Sequence, residues 1–256
     1  MKNIANTFVG ICLGASTVSL VEMEEIGAKR TIVSTITQAH LGNVRNCLLD
    51  ILGRHNHLFH AKFCVTGRKL RHALYLSSIA EAEAVELAMH YILPTNHPYR
   101  VVISAGGETF IVYHLAASGF IEHIQAGNKC ASGTGEFFLQ QLHRMDLSLG
   151  DIAGLRVSEK PYKVSARCSV FCKSDCTHAL NKGVPKTSVI SGLTAMMADK
   201  LDELLGKLPR DNAILIGGCA DNTGMVHYLR QKVDTLFIPD EAPYMEALGA
   251  ACWAVE

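Results

Sequence analysis

Apolar runs lie on either side of a glycine-containing turn in two regions of the chain, and each region predicts a strand–turn–strand hairpin. The first hairpin covers residues 7–21, with its turn at Gly14–Thr17. About ninety residues later, the apolar stretch 100–104, a turn at Gly106-Gly107 and a returning strand over 109–115 repeat the arrangement. Because a repeat at this distance is typical of duplicated units, we predict two similar lobes whose turns face one another.

Other patterns along the chain predict further helices and strands, and together the elements indicate an α/β fold. Helical periodicity and strand-forming runs give further elements. They are helices over 42–52 and 77–91, strands over 30–37, 61–67 and 213–215, and a helix from about Asn222 that follows the glycine turn Gly217-Gly218. We predict an N-terminal lobe at residues 1–98 and a C-terminal lobe at residues 99–256.

A cysteine precedes a helix start in the segment GNKCASGTGEFFLQQL, residues 127–142. The helix is predicted to begin at or near Thr134. Its free N–H groups and the positive end of its dipole would hold an anion and favour the thiolate form of Cys130. The alternative is a buried thiol in a tight loop, since cysteine is among the most buried residue types.

Composition narrows the classes of protein that fit. The chain has 256 residues, a formal net charge of zero and a hydrophobic fraction of 48%, which fit one large domain or two lobes. No broad basic surface for nucleic acid is expected, and neither a membrane span nor a signal peptide is predicted. Nine cysteines cannot all pair within the chain, so a reduced, cytoplasmic setting with metal or redox cysteines is favoured.

Glycine turns follow three predicted strands, and backbone N–H groups in such turns can surround a polyphosphate. Glycine suits this role because a Cβ would hold the phosphate away from the amides. Ordinary β-turns are the alternative for any single turn. Taken in order, the hairpins and the strand–Gly-Gly–helix unit resemble the superfamily that contains actin, sugar kinases and chaperone ATPases, in which ATP lies between two lobes.

Two cysteine motifs make the resemblance more specific. The segment 128–135, NKCASGTG, and the segment 167–171, RCSVF, are similar to motifs in the activators of 2-hydroxyacyl-CoA dehydratases and the ATPase subunits of benzoyl-CoA reductases. The C-terminal stretches 239–244 and 247–251 also resemble that family. The resemblance extends from about Phe8 to Trp253.

The resemblance implies cofactors, partners and site residues. Cys130 and Cys168 from each of two subunits would hold one 4Fe–4S cluster on the axis of a homodimer. ATP or ADP with Mg²⁺ would bind in the cleft, and a low-potential electron would pass from a donor such as ferredoxin or flavodoxin to an acyl-CoA dehydratase- or reductase-type radical enzyme. The candidate cofactor-binding residues are Gly14, Ala15, Ser16, Thr17, Gly106, Gly107, Gly133, Thr134, Gly135, Gly217, Gly218, Asp221 and Asn222.

Two further cysteines extend the second motif. Cys168, Cys172 and Cys176 have a spacing of four residues and would lie along one face of a helix. Cys172 and Cys176 are therefore additional candidate ligands, and buried thiols on a helix face are the alternative. A zinc site that also uses His178 suits tetrahedral geometry poorly.

The phosphate turns depart from the family pattern. Cys12, Ser104 and Thr109 stand where the family has aspartates. A thiol or hydroxyl holds Mg²⁺ and its waters less well than a carboxylate. Glu108 is our candidate catalytic carboxylate, and Glu81 and Glu83 are further ones.

These departures leave two hypotheses for the function. The first is an ATP-dependent iron–sulfur activase with weakened hydrolysis. The second is a degenerate, non-hydrolysing, nucleotide-binding iron–sulfur module of the same fold.

Two weaker signals accompany these motifs. His55, His57 and His60 form a local cluster, for which a solvated loop is favoured over a metal site because no carboxylate or cysteine flanks it in sequence. Thr66-Gly67-Arg68 resembles a shortened turn of the family.

Overall fold

The structure is a computed structural model that describes residues 6–27, 29–127, 132–152, 154, 157–166 and 168–255. The chain divides into two compact units. The first comprises Met1–His97 together with Tyr244–Glu256, and the second comprises Pro98–Pro243.

The first unit is built on a four-stranded sheet with strand order β3-β2-β1-β4. Its strands are β1 (Asn6–Leu13), β2 (Thr17–Ile26), β3 (Lys29–Ala39) and β4 (Lys62–Thr66). Its helices are α1 (Val44–Arg54), α2 (Glu81–Ile92) and the C-terminal α8 (Met245–Val255). β1 pairs antiparallel with β2 and parallel with β4, and β2 pairs antiparallel with β3.

The second unit is built on a five-stranded sheet with strand order β7-β6-β5-β8-β9. Its strands are β5 (Val101–Ala105), β6 (Phe110–Leu115), β7 (Ile121–Ala126), β8 (Ala213–Ile216) and β9 (Leu236–Phe237). Its helices are α3 (Gly135–Arg144), α4 (Leu149–Ile152), α5 (Ser169–Asn181), α6 (Lys186–Leu205) and α7 (Thr223–Leu229).

The two sheets repeat one topology. β5 pairs antiparallel with β6 and parallel with β8, and β6 pairs antiparallel with β7. Strands β5 to β8 therefore correspond in order to β1 to β4. The prediction of duplicated α/β lobes from the two hairpins is confirmed.

The C-terminal helix α8 belongs to the first unit. Chain order alone predicts that residues 244–256 belong to the second lobe, but small residues let α8 pack backbone to backbone on β1 and α2. A Cβ added to Gly10 would lie 1.9 Å from the carbonyl oxygen of Ala247, and one added to Gly249 would lie 1.7 Å from that of Ala84. Such approaches exclude any side chain at either glycine.

Helix α6 is the central helix of the second core, which also includes Ile103, Leu215 and Phe138. Eleven of its twenty residues are buried, so it lacks a clear polar face, and the sequence did not predict it. Strands β7 and β9 and the short helix α4 were also not predicted. No helix among the described residues has the length and apolar character needed to cross a membrane.

Candidate functional site

The two hairpin turns share one geometry. The N–H of Gly14 donates to the carbonyl oxygen of Thr17 at 2.9 Å, and the N–H of Gly106 donates to that of Thr109 at 3.3 Å. A Cβ on Gly14 would lie 3.0 Å from the Thr17 oxygen, and one on Gly106 would lie 3.2 Å from the Thr109 oxygen. The repeat seen in the sequence is therefore a repeat of turn structure.

A second glycine lies beside each hairpin at the end of the neighbouring parallel strand. Gly67 follows β4 with φ +130°, and a Cβ there would lie 2.4 Å from the carbonyl oxygen of Leu13. Gly217 follows β8 with φ +92°, and its Cβ would lie 2.7 Å from the carbonyl oxygen of Ala105. The carboxyl ends of parallel strands are where α/β sheets bind ligands. Gly67 is thus the counterpart of Gly217, a role that only the strand pairing reveals.

His40 supports the first turn and was not predicted as a site residue. Its Nδ1 accepts from the N–H of Gly42 at 3.0 Å, so Nε2 carries the proton and donates to the carbonyl oxygen of Gly14 at 3.3 Å. Its own N–H donates to the carbonyl oxygen of Ser16 at 3.1 Å. The side chain is 9% exposed. His40 therefore fixes the turn through two hydrogen bonds, to the carbonyl oxygens of Gly14 and Ser16, while the bond from Gly42 orients its ring.

Cys12 lies at the end of β1, beside the first turn. Burial raises the pKa of its thiol well above the usual value, and the carboxylates of Glu246 and Glu81 raise it further. The thiol is therefore protonated near neutral pH and is a poor ligand for Mg²⁺.

Glu81 supplies a carboxylate near Cys12. Burial also raises the pKa of Glu81, whose Oε1 accepts from the N–H of Arg68 at 3.1 Å. Glu83, by contrast, is exposed. In the second unit Glu108 is exposed on its turn, whereas Ser104 is buried.

Helix α3 begins against the second hairpin turn. Thr134 is its N-cap residue, which confirms the predicted start. The N–H of Gly135 donates to the carbonyl oxygen of Gly106 at 3.2 Å, and the N–H of Glu136 donates to that of Gly107 at 2.8 Å. These two N–H groups, expected from the sequence to hold an anion, are instead bonded to the turn. The helix start therefore binds the hairpin rather than offering all its amides to a phosphate.

Hydrogen bonds connect the two cysteine segments. Cys130 itself lies outside the described residues, and Cys168 is half-buried immediately before α5. Ser132 Oγ donates to the carbonyl oxygen of Ala166 at 3.3 Å and accepts from Lys200 Nζ at 2.8 Å. The segment that follows Cys130 is thus joined to the segment that precedes Cys168.

Gly133 lets the lysine side chain reach this point. Gly133 has φ +83°, and a Cβ there would lie 2.6 Å from Cδ of Lys200. The lysine stem crosses the helix start at the place where the sequence predicted a cofactor contact. Gly133 is therefore explained by backbone conformation and by close packing within the protein.

Comparison with known proteins agrees with this geometry. The model of the BadF/BadG/BcrA/BcrD ATPase family matches residues 9–254. The chain belongs to this family.

Relatives with assigned roles align with about 70% of the length of the chain. The (R)-2-hydroxyglutaryl-CoA dehydratase activating ATPase of Acidaminococcus fermentans is 30% identical over 187 residues, 70% of each chain. A benzoyl-CoA reductase component of Thauera aromatica is 25% identical over 212 residues, 73% of each chain. The crystal structure of the activator of 2-hydroxyisocaproyl-CoA dehydratase from Clostridium difficile with bound ADPNP has a TM-score of 0.84 and 23% identity, covering 98% of this chain and 94% of that one. The structural likeness establishes the actin-like ATPase fold.

In this BadF/BadG-type chain, the candidate residues in the turn after β8 differ in role. Gly218 and Asp221 are exposed. Asn222 is buried, and its Oδ1 accepts from the N–H of Met225 at 3.0 Å, so its side chain caps α7. Gly218 and Asp221 remain candidates for a nucleoside contact, whereas the side chain of Asn222 has a structural role.

Cys172 and Cys176 lie inside the hydrophobic core of the second unit, at 0% and 4% exposure. The neighbouring thiol of Cys176, followed by burial, raises the pKa of Cys172. Within the described ranges, no group of three or more His, Cys, Asp or Glu side chains is arranged to hold a metal ion. Burial in the apolar core favours the buried-thiol alternative for Cys172 and Cys176, and His178 is exposed.

The histidine cluster forms a short 3-10 helix over Asn56–His60. Nε2 of His57 lies 3.2 Å from Oε1 of Glu22, a carboxylate on β2 that is 5% exposed. Sequence order hides this partner because it lies 35 residues away. The cluster is therefore explained by an ion pair with the sheet when His57 is protonated.

Proposed function

We propose that this protein is an ATP-dependent iron–sulfur activase that passes a low-potential electron to an acyl-CoA dehydratase- or reductase-type enzyme. The names of its relatives support this role. The observation that carries the proposal is the placement of α3. Its first N–H groups bond to the second hairpin turn, while the residues just before it are tied to the segment that leads to Cys168. A nucleotide turn and the cysteine motifs thus belong to one connected structure.

Glycine in both hairpin turns leaves the backbone accessible to a polyphosphate, which supports nucleotide binding. We propose that the backbone of Gly14–Thr17 and Gly106-Gly107 holds the phosphates of ATP or ADP, with Gly218 and Asp221 toward the nucleoside. The N–H groups of Gly14 and Gly106 themselves bond within their own turns, so the phosphates use other amides of these segments. Close approaches at Gly67 and Gly217 keep side chains away from both strand ends. Backbone amides do not depend on the replaced aspartates, so nucleotide affinity is retained.

Hydrolysis is the weaker part of the activity. Cys12 is a protonated thiol beside the first turn, and Ser104 supplies a hydroxyl beside the second. In the proposal, Glu81 and Glu108 provide the remaining carboxylates for Mg²⁺ and its waters. Losing a positioned water or metal ligand costs several kcal/mol of transition-state stabilisation, and about 1.4 kcal/mol corresponds to tenfold in rate.

The described part of the cysteine region fits a shared cluster. Cys168 is half-buried, and it precedes Val170 and Phe171, which are 68% and 64% exposed on the first turn of α5. Exposed apolar side chains beside a ligand suit contact with a second copy of the chain. Four thiolates hold a 4Fe–4S cluster, so Cys130 and Cys168 of two chains complete the set. When bound, the cluster supplies one-electron transfer.

The proposed compartment and electron donor follow from this chemistry. A low-potential cluster requires a reduced compartment, and we propose the cytoplasm, with ferredoxin or flavodoxin as electron donor. The free thiols among the described cysteines are consistent with it.

Restoring carboxylates separates the activase from the alternative, a non-hydrolysing module, which Cys12 and Ser104 favour. The test is the double variant Cys12→Asp/Ser104→Asp, with ATP turnover and ADP affinity measured separately against the natural protein. A weakened activase should hydrolyse ATP slowly and gain at least about tenfold in turnover at similar affinity, because each carboxylate orients Mg²⁺ or its water.

Other outcomes discriminate the remaining cases. No turnover in the natural protein, together with tight ADP binding, would favour the non-hydrolysing module. Brisk turnover in the natural protein would show that Glu81 or Glu108 already replaces the aspartates. Absence of any adenine nucleotide binding would contradict both functions.

A further inference from the structure

Three segments of the second unit meet at the start of α3. The N–H groups of Gly135 and Glu136 donate to the carbonyl oxygens of Gly106 and Gly107 at 3.2 and 2.8 Å. The Sγ of Cys219, from the turn after β8, donates to the same Gly106 oxygen at 3.5 Å. We call this set of bonds the α3–hairpin contact. It joins the phosphate turn, the nucleoside turn and the helix directly.

The thiol of Cys219 occupies the space beside Gly135 into which a side chain at position 135 would extend. A Cβ added to Gly135 would lie 2.6 Å from the Sγ of Cys219, and also 3.2 Å from the Gly106 oxygen and 3.3 Å from Cα of Gly107. Cys219 is 7% exposed, and burial raises the pKa of its thiol to about 12, so it remains a hydrogen-bond donor at neutral pH. The first contact is therefore a side-chain contact that a change at position 219 can relieve.

We infer that Cys219 is a positioning residue, whose thiol sets the spacing between the start of α3 and the two turns proposed to bind nucleotide. This inference rests on the proposed nucleotide binding. Because the bonds to α3 are made by the backbone of the phosphate turn, any change in that turn changes the first turn of the helix.

The test uses Gly135→Ala, Cys219→Ala and the double variant, with Gly150→Ala as the matched control. Gly150 lies in α4, where an added Cβ has only an ordinary contact of 3.6 Å with Ser148. Hydrogen–deuterium exchange of peptides covering residues 132–144 is measured with and without ADP, and ADP affinity is measured by calorimetry. In the natural protein, ADP should slow exchange of the Gly135 and Glu136 amides by roughly tenfold.

We expect Cys219→Ala to rescue the effect of Gly135→Ala on the ADP-dependent slowing of exchange. Gly135→Ala should lose most of the ADP-dependent slowing, because the new methyl group displaces Cys219 Sγ. Cys219→Ala should lose part of it, and the double variant should recover most of it, since the methyl occupies the space that Sγ leaves. Gly150→Ala should behave like the natural protein. If Gly135→Ala does not fold, Cys219→Ala and the double variant still test the spacing.

Two results would overturn the inference. One is ADP binding to the natural protein with no change in exchange at the start of α3. The other is a double variant that responds no better than Gly135→Ala alone. If no adenine nucleotide binds, the proposed function fails, and rapid exchange of the Gly135 and Glu136 amides in the nucleotide-free protein would separately contradict the α3–hairpin contact.

Discussion

Cys12 places a thiol where the family resemblance implies a carboxylate, beside a first hairpin turn that is held by its own backbone hydrogen bond. The turn at Gly14 keeps its hydrogen bond to Thr17 and is supported by His40. The thiol, however, is kept neutral by burial and by the carboxylates of Glu246 and Glu81. The proposed nucleotide binding depends on backbone amides and the proposed hydrolysis on side chains, so mutations at Cys12 should separate the two.

The environment of Cys12 predicts its reactivity. Alkylation of Cys12 by iodoacetamide should be slow at pH 8, because a raised pKa leaves little thiolate. Glu81→Gln should speed it by about threefold, since removing a nearby negative charge lowers the thiol pKa. Peptide mass spectrometry measures the rate, and Glu83→Gln is the control because Glu83 is exposed. Equal rates in both variants would contradict the assigned electrostatics.

The cysteines differ in their predicted contribution to iron binding. Cys130→Ser and Cys168→Ser should each remove most of the iron from anaerobically purified protein. Cys47→Ser and Cys64→Ser should keep it, because both thiols are buried in the first unit and burial raises the pKa of Cys64 to about 11. Iron is measured per chain in all four variants. Equal loss in the four would refute the ligand assignment.

At the scale of elements, α3 and α6 together organise the cysteine region. Lys200 on α6 bonds to Ser132, which bonds to Ala166. The α3–hairpin contact holds the other side of the same helix start. The glycines at 133 and 135 are therefore explained by two different neighbours, a lysine stem and a cysteine thiol.

Lys200→Met tests the α6 connection while keeping the apolar stem beside Gly133. Losing the ammonium leaves Ser132 with fewer partners, so the free energy of unfolding should fall by about 1–3 kcal/mol. Iron retention should fall with it. Lys207→Met is the control, because Lys207 is exposed near the end of the same helix. Urea unfolding and iron analysis check the prediction, and matching behaviour of the two variants would count against it.

Local sequence signals predicted the elements that carry their own pattern. The hairpins, α2 and the start of α3 follow from apolar runs, helical periodicity and glycine placement. Helix α6 was missed because burial on most sides removes the amphipathic period. The roles of His40, Gly67 and Cys219 depend on strand pairing and on contacts distant in sequence, which one chain without its fold does not display.

At the scale of the whole molecule, each unit presents a glycine turn at the end of its first strand and a second glycine on the adjacent parallel strand. Membership of the BadF/BadG/BcrA/BcrD ATPase family and the actin-like fold agree with this duplication. The central claim concerns the second unit, where the described segments on the far side of Cys130 and the near side of Cys168 are joined. With Cys130 and Cys168 as the proposed ligands, one chain supplies two of the four thiolates that a 4Fe–4S cluster needs.

Native mass spectrometry of protein purified and reconstituted without oxygen tests this claim most directly. We expect a dimer that carries about four iron and four sulfide ions, since two thiolates from each chain complete one cluster. The dimer should dissociate when the cluster is removed by a chelator. A colourless monomer after reconstitution, or a monomer that holds a complete cluster of its own, would contradict a cluster shared by two chains.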